Sequence, residues 1–110
     1  MFKVDLPDIT IGITFRHPRM TAKDKSGNIL VQRLTCCEVL KLNTPDKPIY
    51  LVKREDTTLL GSGLAVCSAL DQFNKERGRK IALTRALSDS KLGKFERAKV
   101  WDMYHGRSKS

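Results

Sequence analysis

The sequence has few cysteines and no long apolar run, and both shortages limit what the chain can be. Three cysteines in 110 residues, two of them adjacent at Cys36 and Cys37, do not resemble a disulfide framework. No apolar run approaches the roughly 20 residues that a membrane-spanning helix needs. The first residues include acids where a secretion signal needs an apolar core. The sequence therefore predicts a cytoplasmic protein with no membrane partner.

The sequence also lacks a recognisable catalytic motif. It has no nucleophile–base pair, no paired carboxylates, no phosphate-binding loop and no cysteine–histidine spacing that is typical of zinc. Cys36 and Cys37 would point to opposite faces of a strand, so they would not share one tetrahedral metal ion. His17 precedes Pro18 in a polar stretch and is interpreted as a surface residue. These observations predict a protein that is not an enzyme and that needs no metal or cofactor.

Length and composition indicate one domain. The chain has 40% hydrophobic and 30% charged residues, as ordinary globular domains of this size have. The predicted domain covers residues 1–107, and residues 108–110 form a short polar tail that is expected to be flexible.

The first two thirds of the chain is predicted to form strands. Residues 9–15 alternate apolar and small polar side chains, which is typical of a half-buried strand. Residues 29–43 predict either one strand that bends or two strands with a bulge near Cys36. Residues 49–54 and 59–67 resemble a hairpin. The connections are too short for crossover helices, so an antiparallel meander of four or five strands is expected.

The last third is predicted to form one or two helices packed on one face of the sheet, which makes the fold class α+β. The first helix covers residues 74–87, with Asn74 as a candidate cap, and the second covers residues 95–107. One side of the first helix has the small residues Gly78, Ala82 and Ala86. One face of the preceding strand has the small residues Gly61, Gly63, Ala65 and Cys67. The two small-residue surfaces are therefore expected to pack closely.

Positive charge is concentrated near the end of the chain. The net charge is +9, and residues 75–110 carry 11 Lys and Arg against 4 Asp and Glu, whereas residues 1–74 carry 10 against 8. Clustered positive charge is typical of a protein that meets a nucleic acid, a nucleotide or an acidic protein surface. The predicted anion-binding residues are Lys75, Arg77, Arg79, Lys80, Arg85, Arg97 and Lys99.

Two kinds of partner remain open at this point. One is a nucleic acid or a signalling nucleotide, because arginine and helix-start amides both suit phosphate oxygens. The other is a host protein, met on an acidic surface or by pairing with an exposed sheet edge from residues 9–15 or 30–37. A homodimer through an open sheet edge is also plausible, because a small sheet must protect its edges.

The segment from residue 61 to residue 104 resembles small proteins of tailed bacteriophages. The shared pattern is a small-residue strand, an Asp-x-Phe-Asn segment, a Gly-Arg-Lys segment, an Ala-Leu-x-Arg-Ala-Leu helix and a later Trp-x-x-Tyr. The matching helix positions are Gly78, Arg79, Lys80, Ala82, Leu83, Arg85, Ala86 and Leu87. The resemblance implies an accessory protein that acts on host machinery in the host cytoplasm, in host takeover or anti-defence.

Overall fold

The computed structural model describes residues 1–67 and 75–108 and has the predicted α+β fold. A five-stranded antiparallel sheet is followed by two helices. The elements are β1 Phe2–Asp5, β2 Thr10–Arg16, β3 Arg19–Lys23, β4 Ile29–Leu42, β5 Thr57–Cys67, α1 Lys75–Ser90 and α2 Lys94–Ser108. The candidate cap Asn74 and residues 109 and 110 of the predicted tail lie outside the described residues.

Strands β2 and β3 lie end to end along one edge of β4. Both keep the same register with β4, from Ile11 opposite Lys41 to Arg19 opposite Arg33. Pro18 interrupts the ladder because it has no backbone N–H to donate, although its carbonyl still accepts a bond from the Leu34 amide at 3.0 Å. The sequence pattern missed β3, because every residue of this strand is exposed and it has no buried face to produce an apolar alternation.

Strand β5 pairs with the other edge of β4, and this pairing corrects the predicted hairpin of residues 49–54 and 59–67. The first half of that hairpin consists instead of two short 3-10 turns. Asp56 fixes the second turn, because its Oδ2 accepts bonds from the Lys53 amide at 3.1 Å and from Lys47 Nζ at 2.9 Å. The bulge expected near Cys36 is a register shift between Val39 and Leu40.

The close packing predicted between β5 and α1 is confirmed. A Cβ atom built on Gly63 would overlap the backbone carbonyl oxygen of Ala82 and lie 2.5 Å from the backbone nitrogen of Ala86. A Cβ atom on Gly61 would lie 2.7 Å from the carbonyl oxygen of Ala86. Real Cβ atoms do not approach backbone so closely, so glycine at these two positions lets the helix backbone rest directly on the strand.

The main core lies between the sheet and the two helices. It combines the inward-facing residues of β1, β2 and β4 with one face of α1, and α2 adds Val100 and Tyr104. Aromatic rings close one end of this core: the Tyr104 ring centre lies 6.0 Å from that of Phe15 and 6.4 Å from that of Phe2. The core therefore joins α2 to the first two strands.

The opposite face of β4 is also covered over its second half. Leu40 and Leu42 are buried there, and Glu38 accepts bonds from Arg16 at 3.0 Å and from Arg54 at 3.5 Å. The first five residues of β4, by contrast, are exposed, as is all of β3. We call residues 19–33 the arm, since this hairpin extends beyond the part of the sheet that α1 covers.

Candidate functional site

The structure divides the predicted basic cluster of α1 between different sides of the helix. Ala82, Leu83, Ala86 and Leu87 face the sheet, and a helical wheel places Arg77 on the opposite side and Lys80 on the flank next to Glu76. Both of these side chains are exposed, as is Lys75 in the first turn. Helix α1 carries five Lys and Arg against two acids, so it keeps an excess of three positive charges.

Arg79 lies on the inner side of α1, where it joins a polar network. Its guanidinium donates to Glu76 Oε2 at 2.9 Å, and the hydroxyl of Tyr104 donates to Glu76 Oε1 at 3.3 Å. Lys80 Nζ lies 3.8 Å from the same carboxylate. Hydrogen bonds from Arg79 hold the pKa of Glu76 below its ordinary value, and contact with Tyr104 and Glu76 raises the pKa of Arg79. One carboxylate is therefore shared by two cations.

His17 faces this network from the junction between β2 and β3. It lies directly across from Thr35, whose buried Oγ1 is 3.1 Å from His17 Nδ1. Partial burial lowers the pKa of His17, and the positive charges of Lys75 and Arg79 lower it further. The imidazole is thus neutral at pH 7 and can offer one ring nitrogen as a donor and the other as an acceptor.

A cavity of about 420 Å³ lies between these groups. Its polar lining comes from the junction between β2 and β3, from α1 and from α2, and its apolar lining comes from the start of the chain and from β2. The lining residues are Met1, Ile13, Phe15, His17, Glu76, Arg79 and Tyr104. This volume is in the range of small-molecule sites, and the donors around it suit a phosphate or carboxylate group.

The other predicted cations lie elsewhere. Arg85 donates to the backbone carbonyl of Leu64, so its guanidinium covers the outer edge of β5. Arg97 and Lys99 are exposed on α2. Because Tyr104 meets Glu76, Arg97 lies about 10 Å further along α2, at 1.5 Å per residue. The structure therefore brings Lys75, Arg79 and Lys80 together near the cavity, and it does not bring Arg77, Arg85, Arg97 or Lys99 to it.

The predicted anion-binding residues did not include four residues that the structure brings to the site: His17, Thr35, Glu76 and Tyr104. Glu76 could have been found, since a glutamate three and four residues before Arg79 and Lys80 is a standard helix ion-pair spacing. His17 and Tyr104 come from distant parts of the chain and carry no local signal. The expectation that His17 is a simple surface residue is wrong, because its ring is half-buried beside Thr35.

The described residues contain no group of three His, Cys, Asp or Glu side chains that could hold a metal ion. Burial raises the pKa of the Cys37 thiol to about 12, so Cys37 is a poor nucleophile at neutral pH. Cys36 and Cys37 lie on opposite faces of β4, as predicted.

A scan against family models and searches of curated proteins and of solved structures found no match to this chain. In the described part of the chain, neither helix is long and apolar enough to cross a membrane.

Proposed function

We propose that this protein binds an anionic partner, a nucleic acid or an anionic nucleotide, at the start of α1, and that it acts by binding and not by catalysis. The observation that carries the proposal is the arrangement of Lys75, Arg79 and Lys80 near one polar cavity, where Glu76 is the one carboxylate that the described residues place between them. An anion at this place relieves the repulsion among the cations.

Charge reversal tests this proposal. The variant Lys75→Glu/Lys80→Glu replaces the two exposed cations near the cavity, whereas Lys41→Glu/Lys53→Glu makes the same change in net charge at exposed positions away from the cavity. We expect the first variant to lose binding of a labelled 20-nucleotide DNA, single-stranded or duplex, in fluorescence anisotropy. The control variant keeps most of the affinity. Equal losses of affinity in both variants would show that binding depends on net charge alone and not on this site.

Fluorescence of the single tryptophan of the chain tests whether a nucleotide or a nucleic acid is the ligand. Trp101 contacts Tyr104, with ring centres 5.8 Å apart, so a ligand in the cavity changes the surroundings of its indole. Titration with a nucleoside triphosphate and with the 20-nucleotide DNA shows which of the two changes Trp101 fluorescence at lower concentration. If neither ligand changes the fluorescence or binds in anisotropy, the proposal is wrong.

The predicted residues Arg97 and Lys99 are tested separately with Arg97→Glu/Lys99→Glu. Their distance from the cavity predicts a smaller loss of affinity than the α1 variant shows. Catalysis is tested with plasmid DNA and Mg²⁺: metal-dependent cleavage that disappears in Glu76→Gln would contradict a role in binding alone.

The resemblance to small tailed-bacteriophage proteins suggests a setting for this activity. We propose that the protein works in the host cytoplasm, in host takeover or anti-defence. Purification from expressing host cells, followed by native mass spectrometry, reports any bound host component and whether the protein is a homodimer. A protein recovered with no bound component would count against this setting.

A second candidate function is inhibition of a host protein, and the exposed edge strand supports it. Leu64 and Val66 of β5 are 43% and 55% exposed, and among the described strands β5 pairs only with β4. A partner strand could therefore pair there, if Arg85 moves away from the Leu64 carbonyl. Recovery of one stoichiometric host protein, unaffected by nuclease, would favour this function over nucleic-acid binding.

A further inference from the structure

The arm carries a second group of cations, which the predicted site did not include. Arg19 lies opposite Arg33 in the hairpin ladder, and Lys23 lies opposite Ile29. Because paired residues share a face and alternate residues repeat it, Arg19, Lys23 and Arg33 lie on one face of the arm. Lys25 adds a fourth cation in the turn. Residues 19–33 thus have four cations and one acid.

The single acid of the arm is occupied in shaping its turn. Asp24 Oδ1 accepts bonds from the Ser26 amide and from the Asn28 amide, each at 2.9 Å. Gly27 follows with a φ of +83°, a left-handed conformation that glycine adopts without strain. Asp24 therefore holds the turn of the hairpin.

This face is continuous with the start of α1. Gly78 of α1 sits against Thr35 of β4, since a Cβ atom on Gly78 would lie 2.5 Å from Thr35 Oγ1. Arg33 lies two residues before Thr35 on the same face, and Arg19 lies two residues after His17. At about 3.4 Å per residue, the basic face extends about 20 Å from Thr35 to Ile29. The arm and the candidate site therefore form one basic surface.

The apolar residues of this surface are aliphatic. Ile29 and Val31 are 66% and 45% exposed and alternate with the cations, and residues 19–33 contain no aromatic residue. Binding of single strands relies on aromatic rings on which bases stack, so the arm is poorly suited to a single strand. A two-stranded β-ribbon, by contrast, fits the roughly 12 Å major groove of B-form DNA, where aliphatic groups can touch thymine methyls.

We propose that the arm enters the major groove of duplex DNA, with Arg19, Lys23 and Arg33 contacting phosphates and Ile29 and Val31 facing the bases. The inference rests on the proposed function, because it names duplex DNA as the anionic partner of the same surface. The A-form duplex of RNA has a deep and narrow major groove, so the arm discriminates against it.

The test uses the variant Arg19→Gln/Lys23→Gln/Arg33→Gln and the matched control Lys41→Gln/Lys53→Gln/Lys94→Gln. The probes are a labelled 20-base-pair DNA duplex, one of its strands alone, and an RNA duplex of the same sequence, each titrated from 50 to 300 mM salt. Affinity for DNA falls as the salt concentration rises, and each lost phosphate contact makes the plot of log affinity against log salt less steep by roughly 0.9. We therefore expect the slope to fall by about 2 to 3 in the arm variant and the affinity to fall at least tenfold.

The outcomes separate this inference from the proposed function. Loss of duplex binding in the arm variant, with the affinity of the control variant unchanged, supports the arm as the element that contacts the DNA. An arm variant that binds duplex DNA like the wild type overturns the inference, and the proposed function survives if the α1 variant still loses binding. Equal or tighter binding of the single strand or of the RNA duplex also overturns it. Absence of binding to all three probes would overturn both proposals, unless a nucleotide binds at the cavity.

Cations on exposed strands also prevent sheets of different copies from pairing. If preventing such pairing were the only role of Arg19, Lys23 and Arg33, the arm variant would self-associate. At equal monomer concentration it would still bind the duplex as tightly as the wild type does. Sedimentation of the arm variant measures its self-association directly. A monomeric arm variant that no longer binds the duplex supports the proposal.

Discussion

One strand, β4, passes through two very different surroundings. Its second half is largely buried on both faces, apart from the exposed Lys41, and Thr35 is only 1% exposed. Its first five residues belong to the arm and are exposed, with Ile29 at 66%. The body of the protein thus has buried apolar surface to stabilise it, whereas the arm consists of a two-stranded ribbon of a kind that is marginally stable alone. The difference indicates that the body maintains the fold and that the arm is available for a partner.

The body should tolerate no added volume where β5 meets α1. Gly63→Ala adds a Cβ atom against the backbone of Ala82 and Ala86, which only a shift of the whole helix can relieve. We expect a loss of about 3 kcal/mol or more in the free energy of unfolding, at or above the upper end of ordinary overpacking. Chemical denaturation measures it. Gly106→Ala in α2 is the control, because nothing lies within 4 Å of its added Cβ atom and alanine suits a helix better by about 1 kcal/mol.

Truncation of isoleucine sharpens the contrast between body and arm. Ile11 is fully buried and Ile29 is 66% exposed. Ile11→Ala should therefore lower the free energy of unfolding by about 2–5 kcal/mol, whereas Ile29→Ala should change it by less than about 0.5 kcal/mol. Urea denaturation of both variants gives the comparison. Similar losses at the two positions would show that the arm supports the fold.

The contact between Gly78 and Thr35 joins α1 to the base of the arm. We expect Gly78→Ala to cost about 1–2 kcal/mol, because overpacking against Thr35 outweighs the helix preference for alanine. In a Thr35→Ala background Oγ1 is absent and only the Cβ atom of residue 35, at 3.3 Å, stays in tight contact, so the same substitution should cost about 1 kcal/mol less. A double-mutant cycle measures this difference. An equal effect in both backgrounds would show that the two residues are not coupled.

The smallest expected effect concerns pH. The pKa of His17 is lowered in the folded protein, so between pH 7 and about 5 the unfolded chain binds more protons than the folded one. Folding stability should therefore fall as the pH falls through this range. His17→Gln removes this contribution, and its melting temperature should fall less between pH 7 and pH 5.5 than that of the wild type. The lowered pKa of Glu76 acts at lower pH, where it also reduces stability as the pH falls. If the melting temperatures of the two proteins fell equally between pH 7 and pH 5.5, the lowered pKa of His17 would be contradicted.

The elements with a clear local pattern were predictable. Strand β2 has an apolar alternation, and α1 and α2 have helical periodicity. The packing of β5 on α1 was predictable because small residues recur on both surfaces, and Gly63 has no other evident purpose. Strand β3 was not predictable, since both of its faces are exposed. The partner of β5 was assigned wrongly because strand pairing depends on the whole sheet and not on the nearest apolar run.

The candidate site was predictable only in part. The cations of α1 were visible as a local excess of charge, but their directions depend on which side of the helix packs. Arg79 faces inward and Arg85 covers a strand edge for this reason. His17 and Thr35 meet across two strands, and Tyr104 reaches Glu76 from 28 residues away. Contacts of this kind arise from the tertiary fold and leave no spacing pattern in the sequence.

Amide hydrogen exchange, measured with and without a 20-base-pair DNA duplex, tests most directly the claim that the arm and the start of α1 meet an anionic partner. The account predicts slower exchange on binding in residues 19–33 and in the first two turns of α1, with β1 and the end of α1 unchanged. Slower exchange confined to β1 or to the end of α1, or no change anywhere at saturating duplex, would contradict it.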